Sequence, residues 1–200
     1  LYAVYEFLER YMGCCFGAYS KNGVAAGEVV PKHSELLLQP DKYCKSAADL
    51  PYRTAIVQYN SWVGNADHAL NPAFFSWLAK NRYNRILTWV GIYEQYISLG
   101  LVDELEKRGI QLSVGHHQAS STWLPPYGNE MFPKQYAKEN PEFYRLEEDG
   151  TRFIPKDDND YNGQLIFCNR NTALIEEVAK NVNKWIAENP LVDIIAFWPN

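Results

Sequence analysis

The chain has 200 residues, of which 46% are hydrophobic, and its 19 basic and 24 acidic residues give a formal net charge of -5. This composition is typical of a folded globular protein and argues against a disordered tail. Because the charge is mildly acidic and no basic stripe is present, no nucleic-acid partner is predicted. No apolar run is long enough to span a bilayer, so membrane insertion is not predicted either.

The first 52 residues predict one helix, one short strand and a border. Val4, Phe7, Leu8 and Tyr11 recur at helical spacing, which predicts an amphipathic helix over residues 2–12 that Gly13 ends. A short strand is predicted over 35–39. Two prolines and several small or polar residues follow in 40–52, and such a stretch is typical of a linker or domain border.

From residue 53 onward, short strands alternate with helices. Strands are predicted over 55–59, 85–90, 110–114 and 192–198. The helices between them carry clear end signals, such as Asn71-Pro72 at one start, Gly109 at one end and Asn189-Pro190 at another. The third strand and the last helix are separated by a long irregular stretch from about 116 to 170. This alternation predicts parallel βαβ units and an α/β fold.

The spacing of the strands favours half of a barrel over an open sheet. A (β/α)8 barrel uses about 250 residues for eight units, or roughly 30 per unit, and the first strands are about that far apart. We therefore expect residues 53–200 to supply the first four units of a barrel. A doubly wound sheet is the competing architecture, but no GxGxxG motif follows the first strand.

Aromatic and hydrogen-bonding residues follow the predicted strand ends, where ligands bind in parallel α/β folds. They include Trp62, His116, Trp123 and Asn200. Rings flanked by polar groups suit a sugar, although such rings can also simply pack the barrel mouth. His116 is a candidate for substrate contact or proton transfer, with a structural histidine as the alternative. A metal role is weaker, since neither HxH nor HExxH is present.

The carboxyl groups and cysteines show no recognisable catalytic or metal-binding pattern. Glycoside hydrolysis needs two carboxyl groups that flank the scissile bond, and the strand ends supply no obvious pair. The acidic run at 147–149, which precedes Gly150, predicts a turn in a solvated loop. The cysteines show no CxxC pair or zinc spacing, so free, mostly buried thiols are predicted, with a bridge from Cys14 or Cys15 to Cys44 as the alternative. No cofactor and no metal is predicted.

Three groups of motifs resemble the family called domain of unknown function 4838, which is similar to the α-glucuronidases of glycoside hydrolase family 67. They are YAVYEFLERYMG at 2–13 with GEVVP at 27–31, NPEFY at 140–144 with DGTR at 149–152, and QLIFCN at 164–169 with WPN at 198–200. One departure is the Cys14-Cys15-Phe16 run, where the family usually carries an Arg-Trp pair.

The resemblance implies a layout and a location. Residues 1–45 would finish a small α/β domain, 46–52 would be a linker, and 53–200 would be the first half of a barrel with a long insertion at about 116–170. His116 and the polar residues around Arg152 and Cys168 would lie near a sugar. The protein would be secreted or periplasmic. Independently of the resemblance, Leu1 opens directly into a helical pattern and Asn200 directly follows an apolar run, so the chain is expected to be a piece of a longer protein. Since the strand ends supply no obvious carboxyl pair, the catalytic acid and base are expected beyond Asn200.

We therefore expect part of a glycoside hydrolase, α-glucuronidase-like, that acts on a polysaccharide. The predicted substrate contacts are Arg53, Trp62, His116, Trp123, Arg152 and Asn200, with the two tryptophans as stacking platforms. The alternative is a carbohydrate-binding protein without catalysis, and a weaker one is a metal-dependent hydrolase that uses His116 or His117. Because a half-barrel exposes two sheet edges, these 200 residues alone are expected to be poorly soluble or oligomeric.

Overall fold

The structure is a computed structural model, and it describes residues 1–17, 27–38, 50–57, 70–116, 123, 133–157, 167–168 and 170–197. For His116 and Pro133 only the backbone is described. The chain divides into two compact units, Leu1–Val114 and Gly115–Asn200. The predicted border at 46–52 falls mostly outside the described residues, so the division into 1–45, 46–52 and 53–200 stays a prediction.

Helices and strands alternate along the chain. The first unit contains α1 (Tyr2–Met12), β1 (Thr54–Val57), α2 (Pro72–Lys80), β2 (Arg85–Thr88), α3 (Val90–Ser98), α4 (Leu101–Glu106) and most of β3 (Gln111–His116). The second unit contains α5 (Pro133–Glu139), a 3-10 helix (Pro141–Phe143), α6 (Thr172–Glu188) and β4 (Ile194–Phe197). The predicted α/β class is confirmed.

The described strands form a four-stranded parallel sheet in the order β1-β2-β3-β4. In its register, Thr54 pairs with Arg85, and Arg85 pairs in turn with Gln111. Neighbours in the sheet are therefore neighbours in sequence. Each parallel connection passes through at least one helix, as such connections require.

Asparagine side chains cap the starts of two helices, and the sequence predicts the first of these caps. The Asn71 side chain accepts a hydrogen bond from the Ala73 backbone N–H at 2.9 Å, and Pro72 occupies the first turn of α2. The Asn171 side chain accepts from the Leu174 N–H at 3.2 Å and caps α6. These bonds satisfy N–H groups that a helix start leaves without an internal partner. The helix predicted at Asn71-Pro72 is confirmed.

The end of α1 is also as predicted. Gly13 has φ 65°, in the left-handed region, and its N–H donates to the Leu8 carbonyl. Glycine adopts this conformation without the steric penalty that a Cβ brings. The predicted helix over residues 2–12 is therefore confirmed.

Several predicted boundaries were wrong. Residues 35–38 have no regular structure, so the described part of the predicted strand at 35–39 is not a strand. β2 stops at Thr88 because the Trp89 carbonyl accepts hydrogen bonds from the N–H groups of Ile92 and Tyr93 and starts α3. β3 runs to His116, beyond the predicted end at 114. The stretch from 116 to 170, predicted to be irregular, contains α5 and the 3-10 helix.

Each unit has its own core. In the first, the helices and strands bury aromatic and aliphatic side chains, which include Phe75, Leu78, Ile86, Ile92, Tyr96, Leu105, Leu112 and Val114. In the second, one cluster comprises Tyr136, Ala137, Phe143, Tyr144 and Leu174. Among the described cysteines, Cys14, Cys15 and Cys168 are free thiols, and Cys15 is exposed rather than buried. Cys44 lies outside the described residues.

Candidate functional site

The six predicted substrate contacts fall into three groups. Trp62 and Asn200 lie outside the described residues, and of His116 only the backbone is described, as the last residue of β3. Arg53, Trp123 and Arg152 are described with their side chains. Of the six, these three therefore have described side-chain surroundings.

Arg53 lies immediately before β1, at the N-terminal edge of the strand. Its Nη1 donates to the Leu50 carbonyl at 2.7 Å, and its Nε donates to the Arg82 carbonyl. The guanidinium also lies over the ring of Tyr2, 5.8 Å from the centroid. Ligands of parallel α/β folds bind at the opposite, C-terminal edge, so these contacts give Arg53 a structural role at the strand start. Its predicted contact with a sugar stays untested.

Trp123 is fully buried, with 0% of its surface exposed. Its ring lies 5.6 Å from that of Trp185, edge to face, and 5.5 Å from that of Phe197. The buried Asn181 amide donates to the Trp123 carbonyl at 2.6 Å. In this structure the indole therefore packs against protein, whereas a stacking platform for a sugar needs an accessible ring face.

Arg152 is placed by a tight antiparallel hairpin. Leu146 and Arg152 form an antiparallel bridge, and Gly150, with φ 84°, lies at the turn between them. The Asp149 carboxylate accepts from the backbone N–H and the hydroxyl of Thr151, at 2.9 and 2.7 Å. Glycine and aspartate suit such a turn because one tolerates positive φ and the other bonds the backbone two residues on. The turn predicted at the acidic run is confirmed.

The hairpin brings the Arg152 side chain next to Tyr144, which lies two residues before Leu146. Nη1 of the half-buried Arg152 donates to the Tyr144 carbonyl at 2.7 Å. Tyr144 bridges in turn to Phe167, and the Cys168 N–H donates to the Phe143 carbonyl at 2.9 Å. These pairings bring Arg152 and Cys168 together although they are distant in sequence. We call Tyr144, Arg152 and Cys168 the arginine–thiol cluster.

The electrostatics of the cluster favour a negative charge beside Arg152. The backbone N–H of Arg170 and then the Arg152 guanidinium and the Asn171 N–H lower the pKa of the Cys168 thiol, against partial desolvation that raises it. Helix α6 starts at Thr172, so its positive end acts in the same direction. Burial raises the pKa of the Tyr144 phenol to about 12, which keeps that group neutral at ordinary pH.

An apolar groove lies beside the cluster in the second unit. It is partly open to solvent and has a volume of about 540 Å³. Its lining includes Phe167, Ile175, Val178, Ala179, Val182 and Phe197. Ile175 and Phe197, which both line this groove, are 53% and 49% exposed, so the groove presents apolar surface to solvent.

The family resemblance implies that Arg152, in the DGTR motif, and Cys168, in the QLIFCN motif, lie near a sugar. Residue types and spacing alone predict no contact between the two. The usable local signals are Asp149-Gly150, which closes a hairpin, and the position of Cys168 just before the Asn171 cap. Neither signal shows that the two segments pair, because the pairing is made by bridges of long sequence separation.

In the described part of the chain, no helix has the length and apolar character needed to cross a membrane. Within the same residues, no group of three or more His, Cys, Asp and Glu side chains is arranged to hold a metal ion.

No family model, curated protein or solved structure matches this chain.

Proposed function

We propose that this chain carries a sugar-binding part of a glycoside hydrolase that acts on an acidic polysaccharide, in the manner of an α-glucuronidase. The observation that carries the proposal is the fixed, half-buried guanidinium of Arg152. A uronic acid differs from a neutral hexose by a carboxylate, and a positioned guanidinium is the protein group best matched to it.

The geometry of Arg152 suits this task. Its donation to the Tyr144 carbonyl fixes the side chain without neutralising its charge. A guanidinium has five N–H groups, so this bond leaves donors that can serve a ligand. Partial burial reduces screening by solvent, so a carboxylate bound there gains more than at an exposed arginine. The lowered pKa of Cys168 is a local sign that the surroundings favour negative charge.

We further propose that β1 to β4 are four consecutive units of a (β/α)8 barrel. The sheet order follows the chain order without a reversal. A doubly wound sheet reverses its strand order at the point where the ligand binds, whereas a barrel adds every new strand on the same side. The order β1-β2-β3-β4 thus favours the barrel.

A binding protein without catalysis is the second candidate, and one observation favours it. Two described carboxyl groups, Glu104 and Asp149, have pKa values below the ordinary one. Hydrogen bonds from Lys107 lower the first, and hydrogen bonds from Thr151 lower the second. A general acid of a glycosidase needs a raised pKa, so neither group fits that role.

The experiment that separates these proposals measures binding and turnover on the same protein. Glucuronoxylan, aryl α-glucuronides and the matching aryl glucosides are offered to the protein, with folding checked by circular dichroism. Release of the aryl group from the glucuronide supports hydrolysis. Binding of glucuronoxylan without turnover supports the second candidate. A folded protein that neither binds nor cleaves any acidic sugar would overturn both.

A further inference from the structure

We draw no further inference here: the strongest candidate, the apolar groove of about 540 Å³ between α6, Phe167 and Phe197, carries no proposal because nothing in the structure shows what covers it.

Discussion

Gly115 of β3 approaches β4 so closely that a Cβ at this position would overlap the carbonyl oxygen of Ala196. Its φ of 144° is also outside the range that residues with a Cβ usually adopt. The steric overlap and the positive φ each disfavour a side chain at this position. The contact between Gly115 and Ala196 therefore requires a glycine just before the last residue of β3.

Gly115→Ala should consequently destabilise the protein by about 2–4 kcal/mol, from backbone strain and overpacking. The measurement is the free energy of unfolding in urea. The matched control is Gly91→Ala in α3, where an added Cβ meets nothing within 4 Å. That change should be neutral or stabilise by up to about 1 kcal/mol, because alanine favours helix more than glycine does. Equal effects of the two substitutions would contradict the described approach of the strands.

Asn181→Ala should cost about 1–3 kcal/mol, because it leaves the buried carbonyl of Trp123 without the donor described for it. Asn183→Ala on the same helix is the control. The Asn183 side chain is exposed, so its removal should change stability by less than about 0.5 kcal/mol. Thermal or urea unfolding of both variants gives the comparison. A loss at Asn183 as large as at Asn181 would argue against the buried bond.

Arg82 combines an unusual backbone with an ionic role. It has φ 64°, and its Nη2 contacts the carboxylates of Glu6, at 3.2 Å, and Glu9, both on α1. Arg82→Ala loses the ion pairs and keeps the strain, whereas Arg82→Gly loses the pairs and relieves the strain. Arg82→Gly should therefore be the more stable variant by about 1 kcal/mol. Urea unfolding measures this difference, and a less stable glycine variant would show that the backbone is not strained.

The thiol of Cys168 should be alkylated at a lower pH than an ordinary cysteine. Only the thiolate reacts, and the Arg170 N–H, the Arg152 guanidinium and the Asn171 N–H favour the thiolate. At pH values between the lowered pKa of Cys168 and the pKa of an ordinary cysteine, the thiol is mostly ionised in the folded protein and mostly neutral in the unfolded one. In that range iodoacetamide should therefore react faster with the folded protein, and well above it the advantage should disappear.

Arg152→Gln should move the alkylation profile of Cys168 upward in pH, because it removes one of the groups that lower the pKa. Arg145→Gln serves as the control, since Arg145 lies in the same hairpin and pairs with Glu147 at 2.7 Å. Mass spectrometry of the peptide that contains Cys168 separates its rate from those of the other cysteines. A profile unaffected by Arg152→Gln would contradict the contact between the two side chains.

Some helix ends could be predicted because the residues that determine them are close in sequence to the groups they contact. The caps at Asn71 and Gly13 act on N–H and carbonyl groups within one turn, so the residue types alone predict the helix ends. Helix α3 was missed because it begins with Val90 and Gly91, two poor helix formers, directly after an apolar strand. Helix α5, within 116–170, was not predicted because Pro133–Glu139 has only 7 residues, too few to show a clear helical periodicity.

The candidate site was less accessible to prediction because it depends on pairings between distant segments. By its residue type and its position after β3, Trp123 fits the role of a stacking platform. Its burial is decided by Trp185 and Phe197, which are far away in sequence. Arg53 likewise looks available for a ligand until the carbonyls of Leu50 and Arg82 are seen to accept its hydrogen bonds. Residue type indicates possible chemistry, and only tertiary contacts show whether a side chain is committed elsewhere.

The most direct measurement for the central proposal is calorimetric titration of the protein with methyl α-D-glucuronide and with methyl α-D-glucoside. The proposal predicts tighter binding of the glucuronide, lost by roughly 10–100-fold in Arg152→Gln and retained in Arg145→Gln, since a hydrogen bond to a charged group contributes about 1.5–3 kcal/mol. Binding of the glucoside, if measurable, should not change. A glucuronide that binds no better than the glucoside, or equally well to Arg152→Gln, would contradict the proposed role of Arg152.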